Sequence, residues 1–206
     1  MKITRLVAAV FAGAAFGVSA QTVFTSESAF VAALSAGYYQ ENFSGLTPFN
    51  GSPISSLSFG GGTPAVGYQI SSGAGGLFIN NDSGLNAVGN WVQSFDLTVT
   101  FTSPNVYAVG AGFYLNDING VNQNGIISIT FSDGTAGTAP SSASGPYGFF
   151  GVIAATPITS MTVSENAAGF LNMANLYTEA SPVPEPATAG LVFLAGIFGL
   201  ACVRKF

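Results

Sequence analysis

Almost all the residues that could do chemistry in this chain of 206 are carboxylates. Between residues 21 and 182 stand Glu27, Glu41, Asp82, Asp96, Asp117, Asp133, Glu165 and Glu179, with no Lys, Arg, His or Cys. The four cations are Lys2, Arg5, Arg204 and Lys205, and the one cysteine is Cys202. Ser-His-Asp, Cys-His and Ser-Lys nucleophiles and histidine-based zinc sites are excluded from this body, because each needs a group it lacks. Carboxylate chemistry remains. Two acids about 5–9.5 Å apart can cleave a glycosidic bond, but no two body carboxylates are closer than 14 positions. A hydrolase would have to assemble its pair across strands. The body's formal charge is 0 − 8 = −8. Without cations it cannot neutralise phosphates, which excludes nucleic acid and disfavours anionic lipid headgroups.

Binding chemistry is less restricted. Calcium takes hard oxygen ligands, and Asn116-Asp117-Ile118-Asn119-Gly120 has the composition of part of a calcium loop without its closing Glu. The same five residues also spell an Asx-type turn. Glu41 and Asn175, placed near the ends of the predicted fold, are further candidate ligands, with solvated strand positions as the alternative. A structural calcium ion is thus the cofactor expected, if there is one. Sugars stack on exposed rings. Of Trp91, Tyr68, Tyr107, Tyr114 and Tyr147, Trp91 is the expected ligand-binding ring, and the tyrosines are expected mostly to fill the core. Thr98, Thr100 and Thr102 read as the wet side of one strand, with an ice-ordering ladder as the alternative.

The elements that must position these residues are short and punctuated by turn residues. Thr25–Leu34 reads as a helix with Ser26 as N-cap, Glu27 in the first turn, and Phe30, Val31 and Leu34 facing a sheet. Beyond it the period becomes two: Phe95, Leu97, Val99 and Phe101; Val109, Ala111, Phe113 and Leu115; Ile127, Ile129 and Phe131. Ser132-Asp133-Gly134-Thr135 is a hairpin turn. Further strands are predicted at 38–43, 65–71, 77–80, 149–154, 158–164 and 171–177. The expected fold is all-β: an antiparallel jelly-roll-like β-sandwich over 21–180 with a short N-terminal helix.

Both ends read as targeting segments. Lys2 and Arg5 precede an apolar run from Leu6 to Val18 and the small residues Val18-Ser19-Ala20, which predicts a signal peptide over 1–20 cut by signal peptidase between Ala20 and Gln21. At the other end Ser181-Pro182-Val183-Pro184-Glu185-Pro186 leads into 17 uncharged residues, 187–203. As a helix they would span about 25 Å and enter the membrane. Arg204 and Lys205 follow, and by the positive-inside tendency stay cytoplasmic.

This order of Val183, Pro184, Glu185 and Pro186, a Gly- and Leu-rich apolar segment, then Arg204 and Lys205, resembles the PEP-CTERM sorting signal. The resemblance covers 181–206 and implies an exosortase as processing enzyme, acting on a precursor in the inner membrane of a Gram-negative bacterium. It also implies delivery to the cell surface or extracellular matrix, where exopolysaccharide is the expected partner. The pieces Ile129–Thr135, Phe149-Phe150-Gly151 and Pro157–Val163 look like strand blocks in bodies bearing this tail. The expected function is a non-enzymatic exported domain making weak polysaccharide or protein contacts. A secreted carboxylate-dependent glycan hydrolase, a structural spacer and an ice-binding domain are the alternatives.

Overall fold

The computed structural model describes residues 21–48, 52–81, 85–145, 147–166 and 169–180. The expected signal peptide through Ala20, the expected sorting residues Val183, Pro184, Glu185, Pro186, Arg204 and Lys205, and the expected membrane segment 187–203 lie outside the described residues. Among the described residues no helix is long and apolar enough to cross a membrane.

Along the chain run β1 (Thr22–Phe24), α1 (Glu27–Ala33), β2 (Tyr39–Glu41), β3 (Ser56–Gly61), β4 (Val66–Ser71), β5 (Leu77–Asn80), β6 (Ala87–Asn90) and β7 (Leu97–Phe101). Then come β8 (Ala108–Asn116), β9 (Asn122–Gln123), β10 (Gly125–Phe131), β11 (Ala136–Ser141), β12 (Gly148–Ile153), β13 (Ser160–Glu165) and β14 (Phe170–Glu179). They form two antiparallel sheets. One has the order β1-β12-β8-β14-β6-β5, with β2 beside β14 and β9 beside β8; the other reads β11-β10-β13-β7-β4-β3. The protein is all-β with one short helix.

Strict alternation explains the inner faces. On the six-stranded sheet Tyr68 and Ile70 of β4, Leu97 and Val99 of β7, and Ile127 and Ile129 of β10 point inward. They share one core with Phe113 and Leu115 of β8 and Leu171 and Met173 of β14 from the other sheet. The β10–β11 hairpin turns at Asp133 and Gly134 as the sequence predicts: Thr135 N donates to Asp133 Oδ1 at 2.9 Å, and Gly134 takes φ +90°.

The eight-stranded sheet departs from the expected pattern, because all nine residues of β8 are buried on both faces. Helix α1 covers the outer one. It starts at Glu27, later than the expected Thr25, because Ser26 is spent as the N-cap and accepts from Ala29 N. Phe30 is fully buried and packs edge-on against Phe24 at 5.4 Å, with Phe149 at 5.5 Å and Tyr177 at 6.4 Å. Gly110 and Gly151 leave room for it: a Cβ on either would come within 2.8 or 2.9 Å of the Phe30 ring.

Other differences have local causes. Phe95 is 37% exposed and precedes β7 instead of belonging to its buried row; Ser94 before it takes φ +70°, and its ring closes over Gly73 and Gly75. Strand β11 carries Pro140 and small residues without apolar alternation, which a sheet edge tolerates. Strands β1, β3, β6 and β9 also escape the pattern, being short or glycine-containing.

Candidate functional site

The outer face of the eight-stranded sheet divides into two parts. Near α1 it is closed by a polar clasp. Tyr147 Oη donates to Glu27 Oε2 at 2.7 Å, and Tyr177 Oη donates to Glu27 Oε1 at 2.5 Å. Asn175 Nδ2 donates to Tyr147 Oη at 2.9 Å and Gln40 Nε2 to Tyr177 Oη at 3.1 Å. Burial, then the Glu27 carboxylate it donates to, pushes the Tyr147 phenol up to about 12, and the same causes raise Tyr177 further. On the inner face of the same sheet, one residue before Gln40, burial, then the bond to Glu41, pushes Tyr39 up to about 12. The unfolded chain loses these protons near pH 10, so between pH 10 and about 12 the native state binds more protons, and stability falls as pH rises through that window. Urea midpoints should therefore be lower at pH 11.5 than at pH 9. Removing one of its two phenols by Tyr147→Phe should shrink the difference.

Away from the clasp the same face opens into a groove of about 300 Å³ lined by Phe78, Trp91, Phe170 and the β8–β9 turn with Asn116, Asp117, Ile118 and Gly120. The outward position of β5 supplies Phe78, the end of β6 leads into Trp91, and Phe170 opens β14. Phe78 sits edge-on to Trp91 at 6.5 Å and to Phe170 at 6.2 Å. Gly89 admits the Phe78 ring, since a Cβ there would lie 2.5 Å from it. Trp91 is held at its backbone, N donating to Gly76 O at 2.9 Å, and remains 38% exposed. Behind the rings lies a row of buried amides: Asn80 Nδ2 donates to Asn172 Oδ1 at 3.2 Å, and Asn172 Nδ2 to Asn116 Oδ1 at 2.8 Å. The row stiffens the groove's inner wall, because a buried amide without partners would be destabilising.

Asp117 builds the turn. Its Oδ1 accepts Asn119 N and Val121 N, each at 2.9 Å, while Gly120 N donates to Asp117 O at 3.0 Å and Gly120 takes φ +77°. This is the Asx geometry the sequence also allowed. Two residues singled out separately, Trp91 and Asp117, thus meet in one groove. Glu41 and Asn175 do not join them. Glu41 stands opposite Leu176 and accepts Tyr39 Oη at 2.6 Å and Phe43 N at 2.8 Å. Asn175, at φ +49° in a β-bulge, belongs to the clasp. Among the described residues no group of three or more His, Cys, Asp or Glu is placed to hold a metal.

Of the tyrosines considered as sugar platforms, Tyr68 and Tyr114 are buried and Tyr147 is engaged by Glu27; Tyr107 is half-buried. Phe78 and Phe170 were missed by sequence reasoning. The available signal was Phe78's place between two inward residues, Leu77 and Ile79, which aims its ring outward. No protein-family model, curated protein or solved structure matches the chain.

Proposed function

We propose that this is an exported, non-enzymatic surface or matrix protein that makes weak contacts with polysaccharide through the Phe78–Trp91–Phe170 groove. The observation that carries this reading is three rings at one open groove with a turn of backbone and amide groups along its rim, because apolar sugar faces stack on rings while their hydroxyls need oriented polar partners. Asp117 is the one carboxylate among the lining residues, and one of its oxygens already holds two amides, which favours binding over acid–base chemistry.

The strand order supports a jelly roll as the finer fold. Taking β6, β7, β8, β10, β11, β12, β13 and β14 in turn, one sheet contains the first, eighth, third and sixth side by side. The other contains the second, seventh, fourth and fifth, the arrangement two interlocked Greek keys produce. In the same reading the signal peptide, the membrane segment 187–203 and exosortase processing at the PEP-CTERM-like tail take the protein through the inner membrane to the cell surface or matrix.

Trp91 is the chain's only tryptophan, so its fluorescence reports on the groove directly. Titration with neutral polysaccharides should shift its emission. Trp91→Ala should weaken retention in polysaccharide-containing gels about tenfold, equivalent to about 1.4 kcal/mol, with an unchanged circular dichroism spectrum. Equal retention of the two proteins would remove the groove from the function.

A further inference from the structure

We infer that the outer face of the six-stranded sheet binds ice, a function separate from the groove. The threonines of β7 are not one isolated row. Register places Ser56, Ser71, Thr98, Thr162, Thr130 and Ala136 side by side across all six strands. A second row runs Ser58, Gln69, Thr100 and Ser160, and a third joins Ser164, Ser128 and Thr138. No outward position within these strand bounds is charged; the nearest carboxylate is the exposed Asp96, one residue before β7. The one carboxylate on them, Glu165, alternates to the inner side, where it accepts Ser94 N. In a body of formal charge −8, a broad neutral face of hydroxyls is where the sequence has withheld its charges.

Three occupants fail on the same observations. An ionic ligand would find one carboxylate, Asp96, at the margin of this face and no cation. A glycan chain has no ring to stack on, and exchanging water for sugar hydroxyls gains little net free energy. A second copy would cover only about 400 Å² per partner, from six strands about 4.8 Å apart and outward rows about 17 Å long, against the roughly 800 Å² of a standard interface. Serine, abundant here, is also depleted at such interfaces.

Ordered water fits. Oxygens two hydrogen bonds apart in a tetrahedral water lattice lie about 4.5 Å apart, from about 2.8 Å per bond, close to the strand spacing of about 4.8 Å that separates Thr98, Thr162 and Thr130. β-Branched threonines have restricted χ1, so much of the ordering is done before ice is met. Sheet twist of about 20–25° per strand confines the flat match to roughly three neighbours, which are β7, β13 and β10.

The test is recrystallisation of ice in frozen droplets holding the full chain in a non-ionic detergent, with the detergent alone as blank. Wild-type protein should keep ice grains small. Thr100 and Thr130 are exposed, so Thr100→Glu with Thr130→Glu should leave the melting curve unchanged while raising the protein concentration needed by about tenfold or more, since a charge must be desolvated against a neutral surface. Ser144→Glu, in the exposed β11–β12 turn, should behave as wild type. Grains as large as in the blank, or full activity in the double variant, would overturn the inference. Loss of polysaccharide retention in the groove test would leave it standing.

Discussion

Replacing Phe30 by alanine should lower the unfolding free energy by about 3–5 kcal/mol, measured from urea transitions. That is a large part of the roughly 5–15 kcal/mol a domain of this kind has in total. Phe30 is fully buried and touches aromatic neighbours on β1, β12 and β14. Beneath it are Gly110 and Gly151, held by sheet hydrogen bonds to two strands each, so the cavity left by the ring cannot be filled by a local shift. The helix has seven residues, too few to be stable unaided. Without its anchor, the Glu27 bonds to Tyr147 and Tyr177 would also weaken, and buried surface of Phe149 and Tyr177 would be uncovered. A loss below about 1 kcal/mol, the range of ordinary surface changes, would mean that α1 merely decorates the sheet. Val31→Ala, at a half-buried position on the same helix, provides the small-effect comparison.

How much of this was legible in the sequence depends on whether a feature is local. The inner face of β7, the Ser26 cap and the Asp133-Gly134 hairpin are set by neighbours within a few positions, and alternation or cap chemistry reveals them. The second burial of β8 is not local. Gly110, Gly112 and Tyr114, between its apolar residues, look like a wet face until Phe30 and Tyr147 are known to lie on the glycines. The groove was half legible: Trp91 and the Asn116–Gly120 turn stand out by type, whereas Phe78 and Phe170 join them only through the pairing of β5 with β6 and β6 with β14. Glu41 and Asn175 show the opposite failure. Adjacent in register, they are committed to different partners, Tyr39 and Tyr147. The hydroxyl rows were least legible, because Thr98, Thr130 and Thr162 belong to three strands and only strand order makes them neighbours.

Changing Pro184, Glu185 and Pro186 to alanine should abolish tail processing while leaving membrane insertion intact. In the proposed route the apolar segment 187–203 supplies the insertion free energy, which depends on its length and hydropathy and not on the residues before it. The prolines contribute something different: each fixes φ and removes an amide donor, so the linker resists folding into a helix and offers an extended backbone to a processing enzyme. Alanine, the best helix former, would let the apolar helix run on into the linker and would delete the one acidic side chain there. Wild-type protein should be recovered from the surface or medium in a shortened form without Arg204 and Lys205, and the triple variant from the inner membrane at full length. Intact mass and fractionation in hosts with and without an exosortase read both outcomes. If wild type and variant fractionate alike and both retain Arg204 and Lys205, the segment is a plain anchor. The groove would then face the periplasm, and the polysaccharide it meets would have to be sought there.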